Sequence, residues 1–163
     1  MGMDLLRVLT EAIDMSLVYE ALSDPECGAQ LVFTGTVRNE NEGRGVRAVH
    51  YEAFAPLAET VFGDLAREVR EKVGTPLRLV MMHRVGTLKV GVISTVIGVA
   101  SAHRAESYAA SRYLIEQLKI RVPVWKEEHY IDGEKTWLDG TELSAPYCGG
   151  HPGRGAIEAN GAE

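Results

Sequence analysis

The sequence lacks the features that mark several large classes of protein. Its 163 residues contain two cysteines, Cys27 and Cys148, too few for a disulfide framework, and this indicates a cytoplasmic protein. No apolar run approaches the roughly 20 residues that cross a bilayer, and the first residues do not resemble a signal peptide. The formal net charge of −6 disfavours a general nucleic-acid surface. We therefore expect no membrane and no nucleic-acid partner.

Common catalytic motifs are also missing. The chain has no G-x-x-x-x-G-K-[ST], no G-x-G-x-x-G after a strand and no G-x-S-x-G, so it carries none of the usual nucleotide-binding or hydrolase signatures. Cys148 and His151 have a metal-like spacing, but no second pair accompanies them, and we predict no metal site. An anionic ligand would have to be held by a local cluster of basic side chains.

What the sequence does contain is enough apolar material for one compact domain, since 45% of the residues are hydrophobic. We predict that this domain spans residues 1–140 and is followed by a glycine- and proline-rich, loosely ordered tail over 141–163. Periodicity predicts the order β-α-β-β-α-β-β-α-β-β. Because turns join many of the strands, this order favours an α+β fold with a mostly antiparallel sheet and two long covering helices.

Local signals give the predicted bounds of these elements. Asp14 is a candidate N-cap, Pro56 and Gly74 are typical of a helix start and stop, and Asp132-Gly133 predicts a hairpin turn. The predicted helices cover 15–22, 56–73 and about 103–119. The predicted strands cover 29–38, 46–54, 77–88, 92–101 and the segment around 122–125, and we expect 46–54 to pair with 29–38.

The two long helices show apolar repeats that predict which face is buried. The predicted buried positions of the first are Leu57, Val61, Leu65, Val69 and Val73. Those of the second are Ala105, Tyr108, Ala109, Ile115 and Leu118.

The segment "SAHRAES" places two basic residues where helices prefer acids. Ser101 can cap the helix, which leaves His103 and Arg104 in the first turn, close to the positive end of the helix dipole. Backbone donors together with a guanidinium would make a good pocket for an oxyanion or phosphate. The alternative is that both side chains point into solvent. Arg38, at the end of a strand before the polar loop "NENEG", leaves the same two possibilities open.

Two lysines flank the segment "LKIRVPVWKEE". Lys119 ends the last helix, where a cation complements the dipole. With a period of two, Lys126 shares a face with Val122 and Val124, which we expect to turn toward the core. A lysine at the rim of apolar surface can serve as a base or nucleophile. The alternative is that Glu127 and Glu128 neutralise Lys126 as a surface ion pair.

Taken together, five segments resemble one family, the catalytic subunit of molybdopterin synthase. The segments are "GAQLVFTGTVRNENEG", "VHYEAFAPLAE", "HRVGTLKVG", "SAHRAESYAA" and "LKIRVPVWKEE", within about residues 4 to 138. The resemblance implies an α/β hammerhead fold and a sulfurtransferase of molybdenum cofactor biosynthesis. Such an enzyme takes sulfur from the C-terminal Gly-Gly thiocarboxylate of a small ubiquitin-like carrier and installs it in cyclic pyranopterin monophosphate. The product is molybdopterin, and no bound cofactor is implied.

The resemblance also assigns roles to individual residues. It implies that Lys119 acts directly in the acyl or sulfur-transfer step and that Lys126 assists and binds substrate. The substrate-binding set predicted from it is Thr36, Val37, Arg38, His103, Arg104, Lys119, Lys126, Glu127 and Glu128. Two positions depart from the family pattern: Val92 replaces an acid, and Glu127 replaces a basic residue whose loss could weaken substrate affinity.

The helix length adds a constraint on how these residues could meet. Fifteen residues separate Arg104 from Lys119, or roughly 22 Å along a helix, so one chain could not readily bring both to one pterin. The resemblance implies a homodimer at the centre of a heterotetramer with the carrier, in which each site is shared. The alternatives are an early break in the helix or a separate structural role for the His-Arg pair. A non-catalytic paralogue that only binds the carrier is the competing function.

Overall fold

The computed structural model describes residues 4–138, which form nine strands and three helices. The strands are β1 (Leu5–Leu9), β2 (Ala29–Thr36), β3 (Glu40–Asn41), β4 (Arg44–Ala53), β5 (Arg78–Arg84), β6 (Gly86–Lys89), β7 (Ile93–Ser101), β8 (Val124–Tyr130) and β9 (Lys135–Leu138). The helices are α1 (Met15–Leu22), α2 (Ala55–Val73) and α3 (Arg104–Arg121). The tail predicted over 141–163 lies outside the described residues, as do Cys148 and His151.

The strands form two sheets, and the first has the order β1-β5-β7-β2. Only β1 and β5 run parallel in it, while β5–β7 and β7–β2 are antiparallel. Alternate residues of β5 face two different cores, as the period of a strand requires. Leu79 and Met81 pack against α2 and α3 on one face, whereas Val80 and Met82 pack against α1 on the other. The α+β class predicted from the sequence is confirmed.

The second sheet has β4 at its centre, and β4 corrects one prediction. It pairs with β3 and β6 along one edge and with β8 along the other, and β9 continues from β8. The predicted pairing of 46–54 with 29–38 is therefore wrong, because β2 pairs with β7 instead. An alternating apolar pattern predicts a strand but does not identify its partner. The predicted strand 77–88 is two strands, β5 in the first sheet and β6 in the second.

The predicted ends of α1 and α2 are confirmed. Asp14 caps α1 by accepting a hydrogen bond from the Ser16 backbone N–H at 2.8 Å. Gly74 ends α2 in the left-handed conformation with φ of 73°, which glycine adopts without strain. The N-cap of α3 is His103, however, and not Ser101. The Ser101 hydroxyl donates instead to the His103 carbonyl at 2.7 Å.

The apolar face predicted for α3 is largely wrong. Leu118 is buried as predicted, but Tyr108 is 63% exposed, and Ala105 and Ala109 also face solvent. The buried residues of the first turns are small: Ser107, Ala110 and Ser111. The Ser107 hydroxyl lies 2.6 Å from the Ser101 hydroxyl on β7, so α3 approaches the sheet too closely for large side chains. In α2, Leu65 and Val69 are buried as predicted, whereas Leu57 is 48% exposed.

The hairpin predicted at Asp132-Gly133 joins β8 to β9 as expected. Gly133 has φ of 94°, a value that favours glycine. Arg44 at the start of β4 fastens this turn, because its guanidinium donates to Asp132 at 3.0 Å and to Glu134 at 2.7 Å. The turn is thereby tied to the β3–β4 hairpin, and both hairpins border the candidate site.

Candidate active site

A small polar recess lies where the end of β2, the β3–β4 hairpin and β8 meet. Its volume is about 90 Å³, roughly the space of three water molecules and well below the 300–1,000 Å³ of pockets that enclose a whole small ligand. The lining residues are Thr36, Val37, Arg38, Glu40, Asn41, Val46, Val49, Tyr51, Lys126 and Glu128. Five of the nine residues predicted to bind substrate therefore lie in one recess: Thr36, Val37, Arg38, Lys126 and Glu128.

Arg38 reaches the recess because the chain just before it is fixed. The register between β2 and β7 shifts at Gly35 and Thr36, and the next residue, Val37, is 3% exposed. The Val37 backbone N–H donates to the Val92 carbonyl at 3.0 Å, and its carbonyl accepts from the Gly91 N–H at 2.8 Å. Arg38 follows directly and is exposed. Its side chain therefore extends from a backbone that the two hydrogen bonds of Val37 fix in place.

Lys126 enters the recess from β8, opposite Tyr51 of β4. The predicted shared face of Lys126 and Val124 is confirmed, because the two residues are two positions apart in β8. It is wrong for Val122, which is the C-cap of α3 and lies outside the strand. The prediction that this face turns to the core is wrong at Lys126, which is exposed. Trp125, on the other face of β8, is 48% exposed. The face of β8 that carries Lys126 is therefore open to solvent at this position, where it lines the recess.

Glu128 is the buried charge of the recess, at 5% exposure. Its Oε2 atom accepts hydrogen bonds from the Tyr130 hydroxyl at 2.9 Å and from the Asn41 Nδ2 at 3.0 Å. Two donors on one carboxylate oxygen offset the cost of removing the charge from water. Asn41 also accepts from the Arg38 guanidinium at 3.3 Å, so the recess couples a cation, an amide and an anion.

Tyr51 and His83, which lie behind these groups, carry no charge at neutral pH. Burial raises the pKa of the Tyr51 phenol above its usual value. Burial also lowers the pKa of His83 to about 4, and its ring packs edge-on against Tyr51 with centroids 5.2 Å apart. Both groups are therefore neutral at pH 7. The cations available to an anionic ligand in the recess are Arg38 and Lys126.

Glu127 does not face the recess. It lies on the opposite side of β8, because successive residues of a strand point to opposite faces. Its carboxylate is 2.7 Å from His129 Nε2, and the His129 ring stacks at 6.4 Å on His50. Glu127 is therefore a partner of His129, and its place in the predicted substrate-binding set finds no geometric support.

Lys119 lies in the last turn of α3 and is exposed. It is outside the lining of the recess, but the connection from α3 to Lys126 is short. The backbone N–H of Val122 donates to the Leu118 carbonyl at 3.1 Å to close the helix, and β8 begins two residues later at Val124. A salt bridge from Arg121 to Glu68 at 2.6 Å holds the end of α3 against α2.

His103 and Arg104 stand at the other end of α3. Both are exposed, and neither lines the recess. The helix runs without interruption from Arg104 to Arg121, so the alternative of an early break is wrong. At 1.5 Å per residue the two ends of this helix lie more than 20 Å apart. One chain does not bring its own His103 and Lys119 to one small ligand.

Sequence reasoning missed Asn41 and Tyr51, which also line the recess. Asn41 was one polar residue among several in "NENEG", and no periodic signal distinguished it from its neighbours. The described residues also contain a larger open groove of about 570 Å³ beside β1 and α1. Its lining includes none of the predicted site residues and is mainly aliphatic, so the charged recess is the better candidate site.

Residues 4–138 contain neither a metal-binding cluster nor a membrane-spanning helix. Within that range no group of three His, Cys, Asp or Glu side chains is arranged to hold a metal ion. No helix in the same range is both long and apolar enough to span a bilayer.

Comparison with known proteins identifies relatives over most of the chain. The catalytic subunit of molybdopterin synthase from Synechococcus elongatus is 41% identical over 131 residues, which cover 80% of this chain and 79% of that protein. The corresponding subunit from a Nostoc species is 36% identical and covers 89% of both chains. Among solved structures, molybdopterin synthase from Staphylococcus aureus is 33% identical with a TM-score of 0.79, over 84% of this chain and 98% of that one.

A more distant structure supports the fold alone. It is a complex of subunits 1 and 2 of the molybdopterin-converting factor from Helicobacter pylori, at 21% identity and a TM-score of 0.67, over 86% of this chain and 92% of that one. These likenesses confirm the hammerhead fold predicted from the sequence. The model of the MoaE protein family matches residues 8–121, and the chain therefore belongs to that family, the catalytic subunits of molybdopterin synthase.

Proposed function

We propose that this subunit transfers sulfur from the C-terminal thiocarboxylate of a small ubiquitin-like carrier to cyclic pyranopterin monophosphate, forming the dithiolene of molybdopterin. Membership of the family assigns the chain to molybdenum cofactor biosynthesis. The observation that carries the finer proposal is the recess, which brings Arg38 and Lys126 together beside a buried carboxylate. A guanidinium and an ammonium at one opening suit a ligand with a phosphate and a reaction that develops negative charge.

The two lysines have different roles in this proposal. Lys126 contacts substrate in the recess and stabilises negative charge there. Lys119, exposed in the last turn of α3, acts directly on the acyl or sulfur-transfer step, since an amine free of a salt bridge within residues 4–138 can serve as nucleophile or base. Arg38, His103 and Arg104 bind the anionic parts of the ligand. The chemistry needs no resident cofactor, since both sulfurs come from the carrier and molybdopterin is the product.

The size of the recess supports a site that a second chain completes. At about 90 Å³ it accommodates one group of the pterin and leaves the rest to lie against another surface. We propose that a second copy of this chain supplies that surface, with its own His103 and Arg104 at the N-terminal end of α3. Each dimer would then hold two equivalent shared sites.

We further propose a small carrier subunit as the second kind of partner, giving a heterotetramer. The Helicobacter pylori protein of similar fold is described as a complex of two subunits, which supports such a partner here. The exposed Lys119 is accessible to a carrier tail that approaches from solvent. We place the reaction in the cytoplasm, as the low cysteine content suggested.

Incubation of the purified chain with thiocarboxylated carrier and cyclic pyranopterin monophosphate tests the proposal. Formation of a dithiolene product, dependent on both reactants, is the expected result. The competing function, a non-catalytic paralogue, predicts that the carrier binds and retains its thiocarboxylate. Measuring carrier binding by calorimetry in the same preparation separates these outcomes, since failure of binding as well as turnover would contradict both.

A further inference from the structure

Two hydrogen bonds connect the exposed arginine of the recess to its buried carboxylate, and a third holds that carboxylate from the other side. The Arg38 Nη2 donates to the Asn41 Oδ1 at 3.3 Å, and the Asn41 Nδ2 donates to the Glu128 Oε2 at 3.0 Å. The same Glu128 oxygen accepts from the Tyr130 hydroxyl at 2.9 Å. The chain of contacts thus runs from the end of β2, through the β3–β4 hairpin, to β8.

The middle member of this chain has to be an amide. It must accept a hydrogen bond from a guanidinium on one side and donate one to a carboxylate on the other, and an asparagine side chain does both. Aspartate has the same size but would set one carboxylate against another. Alanine would leave Glu128, which is 5% exposed, with one donor fewer, and an unpaired buried charge is costly.

The hairpin that carries Asn41 is itself held in place. Asn41 pairs with Arg44 across the β3–β4 register, and the Arg44 guanidinium lies 3.6 Å from the centre of the Tyr130 ring. The same guanidinium is bound by Asp132 and Glu134. Tyr130 is therefore fixed on both sides, at its ring by Arg44 and at its hydroxyl by Glu128. Because the carboxylate is held in place, the amide bound to it can orient the exposed arginine.

We propose that Asn41 is a positioning residue that holds the Arg38 guanidinium at the mouth of the recess by linking it to Glu128. The inference rests on the proposed function for the identity of the ligand, an anionic pterin. Asn41 acts through Arg38 in this arrangement, because its Oδ1 accepts from Arg38 and its Nδ2 donates to Glu128. Its contribution appears in ligand affinity, because an arginine that is already oriented loses less side-chain freedom on binding.

Asn41→Asp tests this, with Asn39→Asp as the matched control. Both substitutions add one negative charge to the same loop near Arg38. Asn39, however, is exposed and its side chain makes no hydrogen bond within residues 4–138, whereas Asn41 makes two. At pH 8 we expect Asn41→Asp to bind cyclic pyranopterin monophosphate about tenfold more weakly than wild type, as measured by calorimetry. Asn39→Asp should change the affinity much less.

The pH dependence separates a positioning role from general damage to the loop. Two carboxylates in contact share a proton as the pH falls, and a protonated Asp at position 41 could again donate to Glu128 while accepting from Arg38. The affinity of Asn41→Asp relative to wild type should therefore recover between pH 8 and about pH 5.5. The other ionisable groups facing this pair are the same in wild type, Asn39→Asp and Asn41→Asp: Arg38, Glu40, Arg44, Tyr51, Lys126 and Tyr130.

A second substitution shows whether Asn41 acts through Arg38. In an Arg38→Ala background the further change Asn41→Asp should have no additional effect on affinity, because the group that it positions is absent. The proposal is overturned if the two effects add, if Asn39→Asp is equally impaired, or if the loss in Asn41→Asp is the same at every pH.

Failure of the proposed function would be distinguishable from failure of this proposal. If the wild-type chain does not bind the pterin, the function is wrong, and the link can still be examined by NMR of the ligand-free protein. The Asn41 side-chain amide hydrogens should be shifted by Glu128 and should move in Glu128→Gln and in Arg38→Ala. Amide signals that do not respond to either substitution would overturn the link.

Discussion

Lys119 is the residue to which the proposed chemistry is most sensitive. Lys119→Ala should abolish turnover and leave the fold intact, because the side chain is exposed and loss of a direct participant costs at least about 10²-fold. Steady-state assays of dithiolene formation measure this. Lys72→Ala is a matched control, since Lys72 is an exposed lysine in the last turn of the other long helix. Retention of more than about a tenth of the wild-type rate in Lys119→Ala would remove the lysine from the mechanism.

Removal of the Arg38 or the Arg104 side chain should weaken ligand binding. Arg38→Ala and Arg104→Ala should each weaken the affinity for cyclic pyranopterin monophosphate by about ten- to a hundredfold, because each removes a charge-assisted hydrogen bond. Calorimetry on the assembled protein gives the dissociation constants. Arg112→Ala is the control, since Arg112 is exposed on α3 and its one salt bridge within residues 4–138 is a 3.8 Å contact with Glu116. An arginine whose removal leaves the affinity unchanged faces solvent and does not bind the ligand.

At the residue scale, sequence reasoning found three of the four charged residues that line the recess, Arg38, Lys126 and Glu128. It missed Glu40 and also Asn41, the amide that links Arg38 to Glu128. Lys126 stands out because a lysine beside apolar strand residues is unusual, and the resemblance to the family singled out Arg38. Asn41 does not stand out, because its role depends on Glu128, which is 87 positions away along the chain. Glu127 is the opposite case, since the period of a strand places it on the other face of β8 from Lys126 and Glu128, and its predicted role in binding stays without geometric support.

At the scale of elements, the end of α3 depends on one acidic residue of α2. Hydrogen bonds from Arg121 and Tyr113 lower the pKa of Glu68 to about 2 from 4.5. A carboxylate whose pKa is lower in the folded than in the unfolded chain stabilises the fold at pH values above its unfolded pKa. This stabilisation is lost as the pH falls toward the folded pKa of about 2. Glu68→Gln should therefore be less stable than wild type at pH 7, and the difference should shrink between pH 4.5 and pH 2.

Urea unfolding at several pH values measures this difference. Glu71→Gln is the control, because Glu71 is exposed and makes no salt bridge within residues 4–138. A gap between Glu68→Gln and wild type that stays constant down to pH 2 would show that the ionisation of Glu68 is not its cause.

Two glycines should respond differently to an added methyl group. In the middle of β7, a Cβ at Gly98 would lie 2.8 Å from the Leu22 Cδ1 of α1, so Gly98→Ala should cost about 1–3 kcal/mol through overpacking. At Gly63, inside α2, a Cβ would meet nothing within 4 Å. Gly63→Ala should be stabilising by about 0.5–1 kcal/mol, because alanine favours helix. Thermal unfolding of the two variants compares them directly, and equal effects would contradict the predicted contact between α1 and β7.

The bounds of the helices could be read from the sequence more readily than their faces. Asp14, Pro56 and Gly74 act on their immediate neighbours, so their signals are local. The face of α3 is set by how closely it approaches β7, which buries Ser107 and Ser111 and leaves Tyr108 outside. Strand partners are equally non-local, and the expected pairing of 46–54 with 29–38 failed for that reason. The cytoplasmic location and the tail over 141–163 stay predictions.

At the scale of the whole molecule, the uninterrupted α3 makes the shared site testable. His103→Ala and Lys119→Ala should each be inactive, and mixing them under conditions that allow subunit exchange should restore part of the activity. Mixed dimers would contain one site with neither substitution, so up to about half of the sites in such dimers recover. Native mass spectrometry verifies the exchange. No recovery despite exchange would show that the two subunits do not share a site.

The short connection between α3 and β8 has a genetic consequence. Two residues, Val122 and Pro123, join the helix that ends near Lys119 to the strand that carries Lys126, and no exchange of subunits separates the two lysines. Alleles that inactivate Lys119 or Lys126 should therefore fail to complement each other and form one complementation group. Alleles at His103 and Arg104 should form a second group, and each should complement the lysine alleles in a cell that expresses both.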